Sequence, residues 1–147
     1  MHCFQACTAA IFVTAISEYD QFMFEDKTKN RLIEAIEMYD EVVNSEWLGQ
    51  TTMMLFLNKK DLFHKKFTLE HIPLNVTGDF PEAPNDFGDE KGALEFLQRE
   101  FTKKRVKYHL PTYVHITSVT DPENVRAVFK VVTDVIVKQN LKNAGLD

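Results

Sequence analysis

Apolar residues run almost without interruption through Thr8-Ala9-Ala10-Ile11-Phe12-Val13-Thr14-Ala15-Ile16. A run with no polar alternation predicts a strand covered on both faces, and so a parallel sheet with helices on either side. The polar stretch from Ser17 to Lys27 follows, and then Leu32, Ile36, Tyr39 and Val43 recur at intervals of 4, 3 and 4. That spacing places one apolar stripe on a helix ending near Asn44, with Arg31, Glu34, Glu37 and Glu41 elsewhere on the cylinder. Trp47 and Gly49 fall in the next loop, and a second buried strand, Thr52-Met53-Met54-Leu55-Phe56-Leu57, runs into Asn58-Lys59-Lys60-Asp61.

Residues 67–92 contain Pro73, Gly78, Pro81, Pro84, Gly88 and Gly92, a density of breakers that predicts a long irregular loop. Leu94, Leu97 and Phe101 mark a helix over 90–106, with Lys103, Lys104, Arg105 and Lys107 at its carboxyl end. A third strand covers Thr112 to Thr117. Asp121 suits an N-cap before Pro122, and Val125, Phe129, Val132 and Ile136 continue a helix to about Asn143, with Gly145 as its stop. The order β-α-β-(loop)-α-β-α, with right-handed crossovers, builds half of a doubly wound α/β parallel sheet. Ligands of such sheets bind at the carboxyl ends of the strands. Two polar loops leave those ends, Asn58 to Asp61 and Thr117 to Asp121.

Composition narrows the function classes. Seventeen Lys and Arg against twenty-two Asp and Glu give a net charge of -5, which argues against nucleic acid as a partner. The apolar run ending at Ile16 is well short of the roughly 20 residues that span a bilayer. No Lys or Arg precedes Lys27, so the basic region of a signal peptide is missing from it. Cys3 and Cys7 are the two cysteines, too few for a disulfide framework, which points to a reducing, cytoplasmic setting. The histidines, His2, His64, His71, His109 and His115, show no metal-ligand spacing.

The chemistry concentrates in Asn58-Lys59-Lys60-Asp61, which fits an Asn-Lys-x-Asp signature. Three fixed letters arise by chance in roughly one chain in fifty of this length. Guanine presents an N1-H and an N2 amine side by side, and the two oxygens of one carboxylate can accept from both. Asp61 is the candidate. Adenine offers no such pair and would leave a desolvated carboxylate unpaired, at a cost of roughly 1 to 3 kcal/mol or more. Asn58 could bond the base N7 or tie neighbouring loops together, the stem of Lys59 could cover the ring face, and Lys60 reads as a solvated spacer.

Around this motif, Leu55-Phe56-Leu57-Asn58-Lys59-Lys60-Asp61-Leu62-Phe63 resembles the alpha subunits of heterotrimeric G proteins. So do Met1-His2-Cys3-Phe4, Ala15-Ile16-Ser17-Glu18-Tyr19-Asp20, Val132-Thr133-Asp134-Val135-Ile136 and Asn140-Leu141-Lys142-Asn143-Ala144-Gly145-Leu146, in order and over essentially the whole chain. The resemblance implies a sheet of P-loop GTPase type. It identifies residues 1–147 with the C-terminal part of a Ras-like GTPase domain, lacking the phosphate-loop half. It also matches Thr117-Ser118-Val119-Thr120 to the family's Thr-Cys-Ala-Thr loop, so that Ser118, Val119 and Thr120 join Asn58, Lys59 and Asp61 as guanine-binding residues. Ser118 and Val119 depart from the family's Cys and Ala.

No Gly-x-x-x-x-Gly-Lys-Ser/Thr occurs in the chain, and Asp89-Glu90-Lys91-Gly92 spells Asp-x-x-Gly on the wrong side of the base motif. By the resemblance the catalytic Arg and Gln and the switch regions lie outside this sequence, so GTP hydrolysis belongs to the full-length family. So does the Mg²⁺ that accompanies GTP or GDP there, for which this chain supplies no ligand. The resemblance further implies a G-protein-coupled receptor facing Asn140, Leu141, Gly145 and Leu146, an effector near Trp47, and, for the full-length family, the beta-gamma dimer. It implies the cytoplasm, with the cytoplasmic face of the plasma membrane for that full-length family. The other reading is a non-catalytic fragment acting as a receptor or effector interaction module.

Overall fold

The computed structural model describes residues 9–48, 50–108, 112–118, 122–143 and 145. Strands β1 (Ala9–Ala15), β2 (Thr52–Asn58) and β3 (Thr112–Ile116) form a parallel sheet in the order β1-β2-β3. Helices α1 (Arg31–Val43), α2 (Lys60–His64), α3 (Glu90–Thr102) and α4 (Pro122–Asn143) complete a small α/β domain, consistent with a P-loop GTPase-like fold. No helix among the described residues is long and apolar enough to cross a membrane.

The pleat sorts the strands into two faces. Ala10, Phe12, Met53, Leu55, Leu57, Val114 and Ile116 turn to the main core, where they meet Leu32, Ile36, Tyr39 and Val43 of α1 and Leu94, Leu97 and Phe101 of α3. Burying each of these large side chains contributes about 1.5 to 3 kcal/mol. On the other face Met54 and Phe56 are also buried, whereas Ile11 and Val13 are 50% and 57% exposed. The expectation that the first strand is covered on both faces is therefore corrected. Its period-two side chains share one apolar character, but β1 is an edge of the described sheet and only its Phe12 side is packed.

Helix α1 starts at Asn30, whose side-chain oxygen accepts from the Leu32 and Ile33 N–H groups at 2.8 and 3.1 Å. The same side chain donates from Nδ2 to the Tyr19 carbonyl at 2.7 Å and to Thr77 Oγ1 at 2.9 Å. Asn30 is 1% exposed. Asn30→Ala removes the cap and leaves a buried carbonyl unpaired, so a loss of about 2 to 4 kcal/mol is expected in urea unfolding. A loss below 1 kcal/mol would show that the triple junction contributes little.

Beyond one-residue shifts at the ends of β2 and β3, three features differ from the elements expected from sequence. Ile16 leaves the strand and opens a 3-10 turn, Ile16–Asp20, in which Ile16, Ser17 and Tyr19 are buried. The third helix ends at Thr102 rather than near 106. There Asn44, at the end of α1, donates to the Lys104 carbonyl at 2.7 Å and accepts from the Val106 and Lys107 N–H groups, which draws the chain off the helix axis. Arg105 then donates to the Thr51 carbonyl at 2.9 Å and to Thr112 Oγ1 at 3.2 Å, joining the starts of β2 and β3. The third difference is α2 and the π-helical turn Lys65–Leu69 that continues it, where sequence reading saw a turn and the start of a loop.

The long loop after that turn is irregular through Asp89, as its prolines and glycines predict. Leu74 and Phe80 anchor it in the core, and the Tyr19 hydroxyl donates to the Ile72 carbonyl at 2.8 Å. Asp89 caps α3 by accepting from the Gly92 N–H at 2.9 Å, and a Cβ at position 92 would strike that carboxylate. The Asp-x-x-Gly letters are thus a helix cap.

Candidate guanine-recognition site

Asn58 is the last residue of β2, buried at the carboxyl end of the sheet's middle strand. Its Oδ1 accepts a hydrogen bond from Thr117 Oγ1 at 3.2 Å, in a buried setting just past the end of β3. Two backbone bonds flank it: the Thr117 N–H donates to the Leu57 carbonyl at 2.9 Å, and the Lys60 N–H donates to the Thr117 carbonyl at 3.1 Å. The two polar loops singled out in the sequence are therefore stitched together at the carboxyl edge. Of the two roles open to Asn58, tying neighbouring loops is the one its Oδ1 performs.

Lys59 sits in the left-handed region, at φ 66° and ψ 39°, ahead of α2. A lysine held there costs on the order of 1 kcal/mol or more, and such strain persists where the surroundings over-determine it. The reversal it makes lets the Phe63 N–H donate back to the Lys59 carbonyl at 3.0 Å and start the short helix. Asp61 falls in the first turn of α2 and is exposed, and Lys60 beside it is exposed as well. Asp61 stands at that rim two residues after Lys59, and Ser118, half-buried, follows Thr117 in the facing loop.

Val119 and Thr120 lie outside the described residues, as do Leu146, the proposed cap at Asp121, and Cys3 and Cys7. Of the residues expected to face a receptor, Leu141 is 46% exposed, Gly145 has a φ of +76°, and the Asn140 side chain is not among those described. Trp47 is 43% exposed on the loop after α1. Among the described residues no group of three His, Cys, Asp or Glu could hold a metal ion.

Sequence reasoning did not single out the side chains that brace α2 from below. Phe63 is fully buried, stacked on Phe67 at 5.5 Å between ring centres and edge-on to Tyr19 at 5.6 Å. Their spacing of four was the available signal, hidden because the run is too short for an amphipathic pattern.

His115, on the β3 face opposite the core, packs beside the Phe56 ring, and its Nε2 is buried with no hydrogen-bond partner among the described residues. Burial pushes this imidazole below the ordinary histidine range. Its neutral form stabilises the fold above the unfolded-state value near 6.5, and that contribution is lost as pH falls through the lower folded value. Stability of the wild type is expected to drop more steeply than that of His115→Phe as the pH is lowered below about 6.5. Parallel curves in denaturant titrations across that range would refute the assignment.

The chain matches the family described as G-protein alpha subunit over residues 1–136. It is 40% identical over 148 residues to the guanine nucleotide-binding protein alpha-4 subunit of Caenorhabditis briggsae, covering 99% of this chain and 40% of the relative. It is 41% identical to the G(o) subunit alpha of Caenorhabditis elegans, again with 99% and 40% covered. To the alpha-1 subunit of Kluyveromyces lactis it is 40% identical, over 99% of this chain and 32% of that protein. The chain belongs to the G-protein alpha subunit family. It spans about two fifths or less of the length of these relatives.

Proposed function

We propose that this chain binds the guanine base of GDP and GTP as the C-terminal part, over residues 1–147, of a Ras-like GTPase domain. Its three strands are then one half of a doubly wound sheet of P-loop GTPase type, and the whole protein transduces signals from G-protein-coupled receptors by binding and hydrolysing GTP. The observation that carries this is the buried Asn58–Thr117 hydrogen bond, which joins the Asn-Lys-x-Asp loop to the loop after β3. In this reading Asp61 accepts from the guanine N1-H and N2 amine, the stem of Lys59 covers the ring, Asn58 sets the junction, and Ser118, Val119 and Thr120 line the far side. Hydrolysis and its Mg²⁺ belong to the whole protein.

The proposed receptor contact is the end of α4 with Asn140, Leu141, Gly145 and Leu146, and the proposed effector contact is the Trp47 loop. The exposure of Leu141 and Trp47 supports both. The beta-gamma dimer and the cytoplasmic face of the plasma membrane belong to the proposal for the whole protein. That same exposure favours a second reading, in which the chain is a non-catalytic interaction module. Calorimetry with GDP, GTP and ATP separates them: GDP and GTP are expected to bind at least tenfold more tightly than ATP. Equal binding of GDP and ATP defeats the guanine reading, and capture of a receptor that survives deletion of 122–147 defeats the module.

A further inference from the structure

Helix α2 carries Asp61 in its first turn and is five residues long, and the π-helical turn Lys65–Leu69 continues it directly. To accept from two neighbouring donors on one base edge, a carboxylate has to lie within about 0.5 Å and 10 to 20° of its productive geometry. So short a helix does not hold its own shape in water, and its aim is set by what the segment is tied to.

The segment is tied at three points along its length. At the front, the Lys60 N–H donates to the Thr117 carbonyl at 3.1 Å. In the middle, Phe63 is sunk in the core against Tyr19 and Phe67. An apolar contact of this kind is non-directional, so it fixes how deep the helix sits and leaves its roll about that ring open. At the back, Lys66 donates from Nζ to the Ser17 carbonyl and to Asp20 Oδ1, each at 2.8 Å. Both acceptors lie in the 3-10 turn that ends β1, so these directional bonds refer the segment to the sheet itself.

Among the ion pairs of the described residues, Lys66–Asp20 is the one best shielded from water. Its side chains are 13% and 19% exposed, against 48% and 24% for His64 and Glu90, which meet on the α3 side of the same segment. Withdrawing two charges from water offsets much of their attraction, so a shielded pair adds little net stability. An ammonium withdrawn from water must still meet its acceptors, and that requirement fixes an arrangement.

We infer that Lys66 is a positioning residue for guanine recognition: by joining the π-helical turn to the end of β1 it sets the roll of α2, and so keeps both Asp61 oxygens in register with the N1-H and N2 amine of the base. This rests on the guanine-binding reading above. The test compares GDP with inosine diphosphate, whose base lacks only the N2 amine, by calorimetry on the full chain. A loss of folded protein lowers both affinities in the same proportion, so their ratio reports the aim of Asp61 and is blind to stability. Wild type is expected to bind GDP about tenfold more tightly than inosine diphosphate, the worth of one charge-assisted bond. Lys66→Met keeps the length of the side chain and removes the ammonium. The double variant Lys66→Met, Asp20→Leu also leaves no carboxylate unpaired, which protects the fold. Each is expected to reduce the ratio to about threefold or less.

A ratio kept at its wild-type value in either variant overturns the positioning role while leaving the guanine reading standing. A wild type that binds GDP no better than inosine diphosphate or ADP overturns the guanine reading, and the positioning role with it.

Discussion

Asp61→Asn is expected to weaken GDP binding by about ten- to a hundredfold while leaving the fold in place. Ionised, the side chain offers two equivalent acceptor oxygens to two adjacent donors on the base, and each bond is charge-assisted. The amide offers one acceptor and turns an NH₂ donor toward one of the base's own N–H groups. Losing one charge-assisted bond and creating one donor-donor clash together cost about 1.5 to 3 kcal/mol. Stability should change little, because Asp61 is exposed in the first turn of α2 and contributes there through the helix dipole, at about 0.3 to 1 kcal/mol. Calorimetry with GDP, paired with thermal unfolding of the same samples, separates the two effects. Unchanged GDP affinity in the Asn variant would remove Asp61 from the site.

Phe63→Ala is expected to produce the larger loss of stability, about 3 to 5 kcal/mol. Phe63 is the buried residue of α2, with no exposed surface, and its ring touches Phe67 face to face and Tyr19 edge to face. Truncation opens a cavity bounded by two elements that meet through this ring, the 3-10 turn after β1 and the π-helical turn after α2. Leu62→Ala next door is the control: Leu62 is 38% exposed and should cost less than about 1 kcal/mol. Urea unfolding of both variants measures the contrast, and equal losses would mean that α2 is not held by its aromatic side. GDP affinity should fall in Phe63→Ala as well, since the helix bearing Asp61 loses its seat.

Both results turn on a segment that the sequence reveals only in half. The letters Asn58-Lys59-Lys60-Asp61 are legible because guanine chemistry asks for a carboxylate in a fixed relation to its neighbours, directly after a buried strand. The helix they open is not legible. Five residues make little more than one turn, too few for apolar periodicity to rise above chance, and the π-helical continuation shifts the register. Glu90 is harder still to foresee: it lies 26 residues beyond His64 in an unrelated helix, and only packing brings the two together.

The longer elements behave differently. Helix α1 was marked by four apolar residues, and all four are buried; strand β2 was marked by an unbroken apolar run, and its residues from Met53 to Asn58 are buried. Regular periodicity over a dozen residues, or a fully apolar run in the middle of a sheet, leaves few alternatives. Strand β1 shows where that logic stops, because the same kind of run sits at the edge of the described sheet with Ile11 and Val13 exposed. Hydrophobicity states what a side chain tolerates, and neighbours decide whether it is covered.

What the sequence determined by itself is the order of the longer elements, the apolar stripes that build the core, and the Asn-Lys-x-Asp motif at the end of β2, all properties of residues close in the chain. What only the tertiary structure decided is the joining of Asn58 to Thr117, the seating of Phe63 between two turns, and the reach of Glu90 to His64. Each of these depends on atoms far apart in sequence, and a hydrogen bond or ring contact forms only when distance and direction are met together in space.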